Sequence, residues 1–332
     1  MFIYRKSFCW LIFFVLLPLA VLSQASKYHY IPPLAASNVS GSNAKPNQQF
    51  IYISTPSTDP VNYTIWPLPI SNSSKVTGTI DKLTPSEGIT LNVDYIESDR
   101  NLPNSEHAGG SGNGWGQLFI RHNDAGTVLT NRGYYIEADA PIFVNIRYRA
   151  GSQAGGLVSK GEAALGKSFR GGGFTNGAPA DKAYLNFSSV MAVEPGTTSV
   201  TFSDINNNIG TGYADMQGIA EVYDPSGNID DIVVTLNQYE TFVVATLVSK
   251  NDAFENPASG TSGEPYPLTN KDALIGMLIE SDKNIAVITG GANGSMTESK
   301  TGRDHGIDQI VGLDKIGNEF IFIEGNPDDG DD

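Results

Sequence analysis

Short runs of alternating apolar and polar residues recur along this chain, most of them bounded by Gly, Pro, Asn or Asp. FIYIST (50–55) alternates on aromatic and β-branched residues, and NYTIWPLPI (62–70) does so until Pro67 and Pro69 stop it. GITLNVDYI (88–96) places Ile89, Leu91, Val93 and Tyr95 on one side. A period of two is the signature of a half-buried strand. Beyond a polar, glycine-rich stretch at 97–116 come GQLFIRHN (116–123), TVLTNRGYYIEAD (127–139) and PIFVNIRYRA (141–150), which read as a meander. KAYLNFSSVMAVE, TTSVTFSDI, DIVVTLNQYETFVVATLV and KDALIGMLIESDKNIAVITGG continue the pattern to residue 291. The one helical turn expected is at Glu162 to Leu165, stopped by Gly166.

Two stretches say nearly the same thing. YIEADAPIFVNIRY starts at residue 135 and LIESDKNIAVITGG at 278, 143 positions later. Each reads as a strand, an acidic turn and a second strand. A second pair follows in the same order: GGLVSKGEAALGKSF (155–169) and GIDQIVGLDKIGNEF (306–320). Self-similarity of this kind points to one structural unit built twice, with insertions of different length. The predicted fold is therefore all-β, with two related antiparallel β-sandwich-like units and little helix. The expected division is a signal peptide at 1–25, an extended leader at 26–49, β units at 50–172 and 173–325, and an acidic tail at 326–332. FIFIEG (320–325) looks like the opening of a further unit.

The N-terminus changes the setting. Arg5 and Lys6 precede an apolar run from Phe8 to Leu22, broken by Pro18, and small polar residues follow. That is the layout of a secretory signal peptide, and the run is short for a membrane span. Export to the outside or the cell surface is expected, with no transmembrane span in the mature chain. Cys9 is the sole cysteine and lies within that peptide, so the mature chain has no disulfide and no thiolate chemistry. The chain has 36 acidic and 21 basic residues, for a formal charge of −15. Such a surface repels nucleic acid, which needs clustered Lys and Arg.

The turn Glu280-Ser281-Asp282-Lys283, the strand Ile285-Ala286-Val287-Ile288 and the block DQIVGLDKIGNEFIFI (308–323) carry a resemblance. Ile310-Val311, Ile316-Gly317, Asn318-Glu319 and Phe320 occupy its marked positions, and TFVVATLV (241–248) is similar to the strand before them. The chain resembles the N-terminal domain of IgG-Fc-binding protein and its bacterial relatives of the Bacteroidetes type, over roughly residues 45 to 325. A proline that the family carries near the first pair is absent. The resemblance implies a large envelope-associated protein with an adhesion or matrix role. It does not imply antibody binding by this chain.

Chemistry-bearing residues are sparse. The histidines are His29, His107, His122 and His305; none has metal-site spacing, and each is expected at the surface. No GxSxG, HExxH or phosphate-loop pattern is present. Carboxylate pairs such as Glu137 and Asp139 read as turns and solvated edges. No catalysis is expected. Candidate ligand-binding residues are Trp115, His107 and His122 around the glycine-rich loop, with Tyr213. The binding loops would be 97–116, 204–216 and 292–306. Asp204, Asn206, Asn208 and Asp215 offer alternating oxygens resembling half of a calcium loop, but the glycine falls one place late and the closing Glu is missing. No cofactor is required, and calcium is the one candidate. Sequons at Asn38, Asn62, Asn72, Asn186 and Asn293 matter only where the source glycosylates, and a bacterial origin would make most of them incidental. The function expected is a non-catalytic adhesion or structural protein of the cell surface, with a glycan, a protein ligand or other envelope proteins as partner. The alternative is a secreted carbohydrate-binding or carbohydrate-active protein.

Overall fold

The structure, a computed structural model, describes residues 24–35, 48–81, 89–91, 118–120, 125–150, 153–173, 184–205, 214–217, 231–248, 274–294 and 304–317. It is β-rich, as the alternation predicts. Among the described residues, helix is limited to two short 3-10 turns, Gly161–Ala164 and Leu313–Lys315. None of the helices is long and apolar enough to cross a membrane. The signal-peptide core, the acidic tail and FIFIEG lie outside the described residues.

The first sheet has seven strands: β1 (Ser26–Ile31), β3 (Gln48–Ser54), β4 (Val61–Pro67), β5 (Val76–Ile80), β6 (Ile89–Leu91), β8 (Tyr134–Ala150) and β9 (Gln153–Ser159). The second has eight: β10 (Gly166–Arg170), β11 (Tyr184–Ala192), β12 (Thr198–Ser203), β13 (Ala214–Gln217), β14 (Ile232–Leu236), β15 (Thr241–Val248), β16 (Leu278–Gly294) and β17 (Asp304–Ile310). A small parallel pair joins β2 (Leu34–Ala35) to β7 (Phe119–Ile120). Ser26–Ile31, expected to be leader, is thus a paired strand of the first sheet. Gly166–Arg170, expected in the first unit, pairs with β16 of the second sheet.

The two similar stretches form the two longest strands described, β8 and β16, each 17 residues. The acidic segments inside them are not turns, as expected, but continuous strand. A register shift on the partner absorbs the irregularity: Ser26 and Tyr28 face Ile142 and Glu137, and Gly166 and Ser168 face Ile285 and Glu280. Both long strands change neighbours half-way. β8 runs first between β1 and β4, then between β3 and β9. β16 runs first between β10 and β12, then between β11 and β17. The outer neighbours agree too: β5 lies on β4 as β14 lies on β12, and β6 lies on β3 as β15 lies on β11. Registers coincide at the 143-residue offset: Glu137 faces Thr64, and Glu280 faces Thr201. Gly155 faces Tyr148, and Gly306 faces Gly291. Gly133 and Gly276, also 143 apart, lead into the long strands with φ of 102° and 83°, a conformation that favours glycine.

Burial follows the alternation. In β4, Val61, Tyr63, Ile65 and Pro67 point inward, while Asn62, Thr64 and Trp66 do not. One core fills the first sheet and continues onto Phe187, Val243, Ala245 and Ile288 of the second. A second core, with Phe169, Val190, Phe202, Phe242, Ile279 and Val287, lies on the other face of the second sheet. The sequon asparagine Asn186 is fully buried. Asn62 holds Asp139 Oδ2 at 2.9 Å and accepts from Thr79 at 2.7 Å.

His29 corrects the expectation of surface histidines: it is fully buried, and His305 is nearly so, edge-on to the Tyr148 ring. His29 sits where Phe169 sits in the second sheet, and its partner Ser159 sits where Ile310 does. Nε2 lies 3.1 Å from the Ile142 carbonyl and 3.2 Å from that of Ser26, so it carries the proton. Nδ1 lies 2.9 Å from Ser159 Oγ, which also lies 3.1 Å from Gln309 Oε1 of the second sheet. Burial lowers the imidazole from 6.5 to about 4, against the pull of the two carbonyls. The folded protein therefore resists a proton that the unfolded chain takes up. Between those two values the unfolded state binds more protons, so stability falls as the pH falls from about 6.5 towards about 4, by about 3 kcal/mol for this residue. His29→Phe, which installs the second sheet's residue, is expected to remove that share of the slope. Urea denaturation of both proteins near pH 7 and near pH 4.5 checks it; equal slopes would contradict it.

Candidate functional site

Most residues singled out in the sequence lie outside the described residues: His107, Trp115, His122, Tyr213, Asn206 and Asn208. Asp215 stands in β13 opposite Leu247. Asp204 is exposed, has φ of 53°, and its Oδ2 lies 2.6 Å from Arg170 Nη1. Among the described residues, no three His, Cys, Asp or Glu side chains cluster as a metal site.

The structure brings other residues together, on the outward face of the first sheet. β1 sends His29 and Ile31 inward, so Tyr28 and Tyr30 face out. In β8, Tyr134 and Ile136 are fully buried, while Tyr135 and Glu137 are half-buried. Register completes the row: Tyr30 faces Tyr135, which faces Trp66. The ring centroids of Tyr30 and Tyr135 are 5.4 Å apart, and those of Tyr28 and Tyr135 are 6.4 Å apart, both stacked. Beyond Trp66, the exposed Lys75 sets Nζ 5.2 Å from the indole centroid, a cation–π contact.

A fourth tyrosine comes from the second sheet. Asn237–Glu240 forms the β14–β15 turn, in which Tyr239 takes φ of 68°. A bulky residue there is strained, by about 1–3 kcal/mol, and must be held by its surroundings. Its N–H donates to the Ala192 carbonyl at 2.7 Å, and Gln238 Nε2 donates to that of Val193 at 3.1 Å. The turn thereby lays the Tyr239 ring 5.3 Å from that of Tyr135.

Glu137 stands at the centre. One carboxylate oxygen accepts from Tyr135 OH at 3.0 Å and the other from Trp66 Nε1 at 3.3 Å. Each keeps capacity for a further donor. Burial pushes the Tyr30 phenol up to about 12, with help from the charges of Tyr239 and Glu162. Burial and the bond to Glu137 raise Tyr135 further, and burial beside Glu137 raises Tyr239. The phenols of Tyr30, Tyr135 and Tyr239 thus stay neutral donors at any ordinary pH. Tyr28 is 38% exposed and the other rings are partly so. The cluster offers ring edges and faces, phenol hydroxyls and one carboxylate. This is the chemistry of a binding surface.

The second sheet has the same positions and not the aromatics. Tyr28, Tyr30, Tyr135 and Trp66 correspond by register to Ser168, Arg170, Leu278 and Ser203, and Glu137 corresponds to Glu280. Tyr30, Tyr135 and Tyr239 also pack against the buried Leu68, Met191, Val193 and Ala286, so the inner side of the row lies on the seam between the sheets while its outer side stays exposed. In the sequence, the signal was aromatic residues on the outward phase of alternating strands. It was hidden because Tyr134 and Tyr135 are adjacent, so the phase of β8 could not be read from them.

A family model described as IgGFc binding protein matches residues 154–332, more than half of the chain. The chain belongs to the IgGFc-binding protein family. The family match begins inside β9 and runs through the whole second sheet. Of the aromatic cluster it includes only Tyr239, so most of the row lies outside the family-matched part. No curated protein and no solved structure matches the chain.

Proposed function

We propose that this chain is an exported, non-catalytic adhesion or structural protein of a bacterial-type cell surface, and that its aromatic row is a ligand-binding face. The observation that carries the proposal is the contrast between the sheets: one framework, with Tyr28, Tyr30, Trp66 and Tyr135 in one copy and Ser168, Arg170, Ser203 and Leu278 in the other. The framework itself is two copies of one unit, residues 26–164 and 166–315, placed in tandem. Family membership supports a surface role.

The favoured ligand is a protein presenting Arg or Lys side chains. The chain is acidic overall, Glu137 lies among the rings, and Lys75 on Trp66 is an internal example of the contact. Cations over aromatic faces gain about 0.5–2 kcal/mol each, more when desolvated.

The test is a binding screen of the purified chain against matrix proteins and glycans, with calcium and with a chelator. Saturable binding to a basic protein, weakened at least tenfold by Trp66→Ala, is the expected result. A partner unaffected by that change places the site elsewhere. Binding confined to neutral glycans supports the carbohydrate alternative, and loss of binding in the chelator points to calcium.

A further inference from the structure

Glu137 and Glu280 hold the same place in the two sheets and have different surroundings. Glu280 is exposed, whereas Glu137 is half-buried. Trp66 Nε1 donates to Oε1 of Glu137 at 3.3 Å, and the Tyr135 hydroxyl donates to Oε2 at 3.0 Å. One donor on each oxygen fixes the plane of the carboxylate and leaves each oxygen able to accept once more. Both donors are neutral. Among the described residues, Glu137 has no cation as partner, unlike Asp308 on Lys160 and Asp204 on Arg170. The cation of the row, Lys75, sets its ammonium over the Trp66 ring and not on the carboxylate. A partly buried carboxylate with neutral donors keeps its full charge to offer to a ligand.

The rings beside it are flat faces set nearly parallel. The planes of Tyr28 and Tyr135 differ by 10°, and those of Tyr30 and Tyr135 by 30°. Two free acceptor positions on one fixed carboxylate, beside aromatic faces, match a planar group with two parallel N–H donors. A guanidinium has that shape and stacks on aromatic rings. An ammonium is a compact, strongly hydrated point charge that does not use the fork. A sugar hydroxyl can donate to one oxygen but leaves the charge unpaired.

We infer, on the reading of the row as a ligand-binding face, that the group it takes is the guanidinium of an arginine side chain on a protein partner, donating to both oxygens of Glu137 among the rings of Tyr135 and Trp66. Lysine is then a poor substitute at equal charge.

Calorimetric titration with three short peptide amides at physiological salt tests it: tetra-arginine, tetra-lysine, and a tetra-arginine whose guanidinium groups are dimethylated. Dimethylation keeps the charge and blocks the fork. The wild-type chain is expected to bind tetra-arginine at least about tenfold more tightly than either of the others. Glu137→Gln, with far-UV circular dichroism unchanged, is expected to abolish that preference, and Glu280→Gln to keep it. Equal affinity of the wild-type chain for the arginine and lysine peptides overturns the inference, as does a preference that survives Glu137→Gln. If both peptides bind equally and Trp66→Ala weakens both, the binding face stands and the arginine assignment falls. If neither peptide binds while the ligand found by screening still depends on Trp66, the arginine assignment again falls alone. If no ligand depends on Trp66, the face and the assignment fall together.

Discussion

Phe187→Ala is expected to cost about 3–5 kcal/mol and to lower one unfolding transition rather than one of two. Phe187 is fully buried and belongs to β11 of the second sheet, yet it packs in the core that fills the first. Val243, Ala245 and Ile288 stand with it there. Truncating it leaves a cavity at the seam, where both sheets lose contacts together. If the sheets had separate cores, calorimetry would show two transitions, with the substitution moving only the second. A single transition at a lower temperature, with unchanged strand content before it, is the predicted outcome. Two resolved transitions would contradict the shared core.

Gly290→Ala is expected to destabilise the protein by about 3 kcal/mol, because overpacking against backbone has no soft route of relief. Gly290 lies in β16 directly opposite Phe187 on one side and Ile307 on the other. A Cβ there would lie 2.1 Å from the Gly306 carbonyl oxygen and 2.8 Å from Ile307 Cα. The first unit solves the same contact with the partners exchanged. Its long strand carries the large residues Arg147 and Tyr148, and β9 supplies Gly156 and Gly155 beneath them. Each facing pair holds at least one glycine, on β9 in the first sheet and at Gly290 of β16 in the second, where the next pair, Gly291 and Gly306, is glycine on both strands. The double variant Gly290→Ala, Ile307→Gly is therefore expected to recover part of the loss, since removing the Ile307 side chain relieves its Cγ2 contact at 2.8 Å. Urea midpoints of the single and double variants measure it. No recovery would mean that the Gly306 carbonyl alone sets the cost.

The strands were legible because half-buried sheet imposes a period of two, and the alternation in β4, β12 and β14 is clean. Gly155 and Gly306, matched in the sequence as parts of a repeat, face Tyr148 and Gly291 of the two long strands. What was not legible depended on partners distant in the chain. The acidic segments read as turns because Glu137 and Asp139 interrupt the apolar run, yet their alternate phase only points them outward while pairing continues. Ser26–Ile31 read as leader because Pro32 and Pro33 follow it, and its partner is more than 100 residues away. His29 and Ser159 are single polar residues whose burial shows only once their counterparts, Phe169 and Ile310, are known. The aromatic cluster needed three strands in register, and a turn from the second sheet, before it existed at all.

Titrating the strongest ligand against the wild-type chain, Glu137→Gln and Glu280→Gln separates a site on the aromatic row from one elsewhere. The two glutamates hold the same place in the two units, and only Glu137 has the aromatic row around it. At least a tenfold loss of affinity is expected for Glu137→Gln, steeper at low salt, and no change for Glu280→Gln. Equal losses in the two variants, or no loss in either, would contradict a ligand site on the aromatic row.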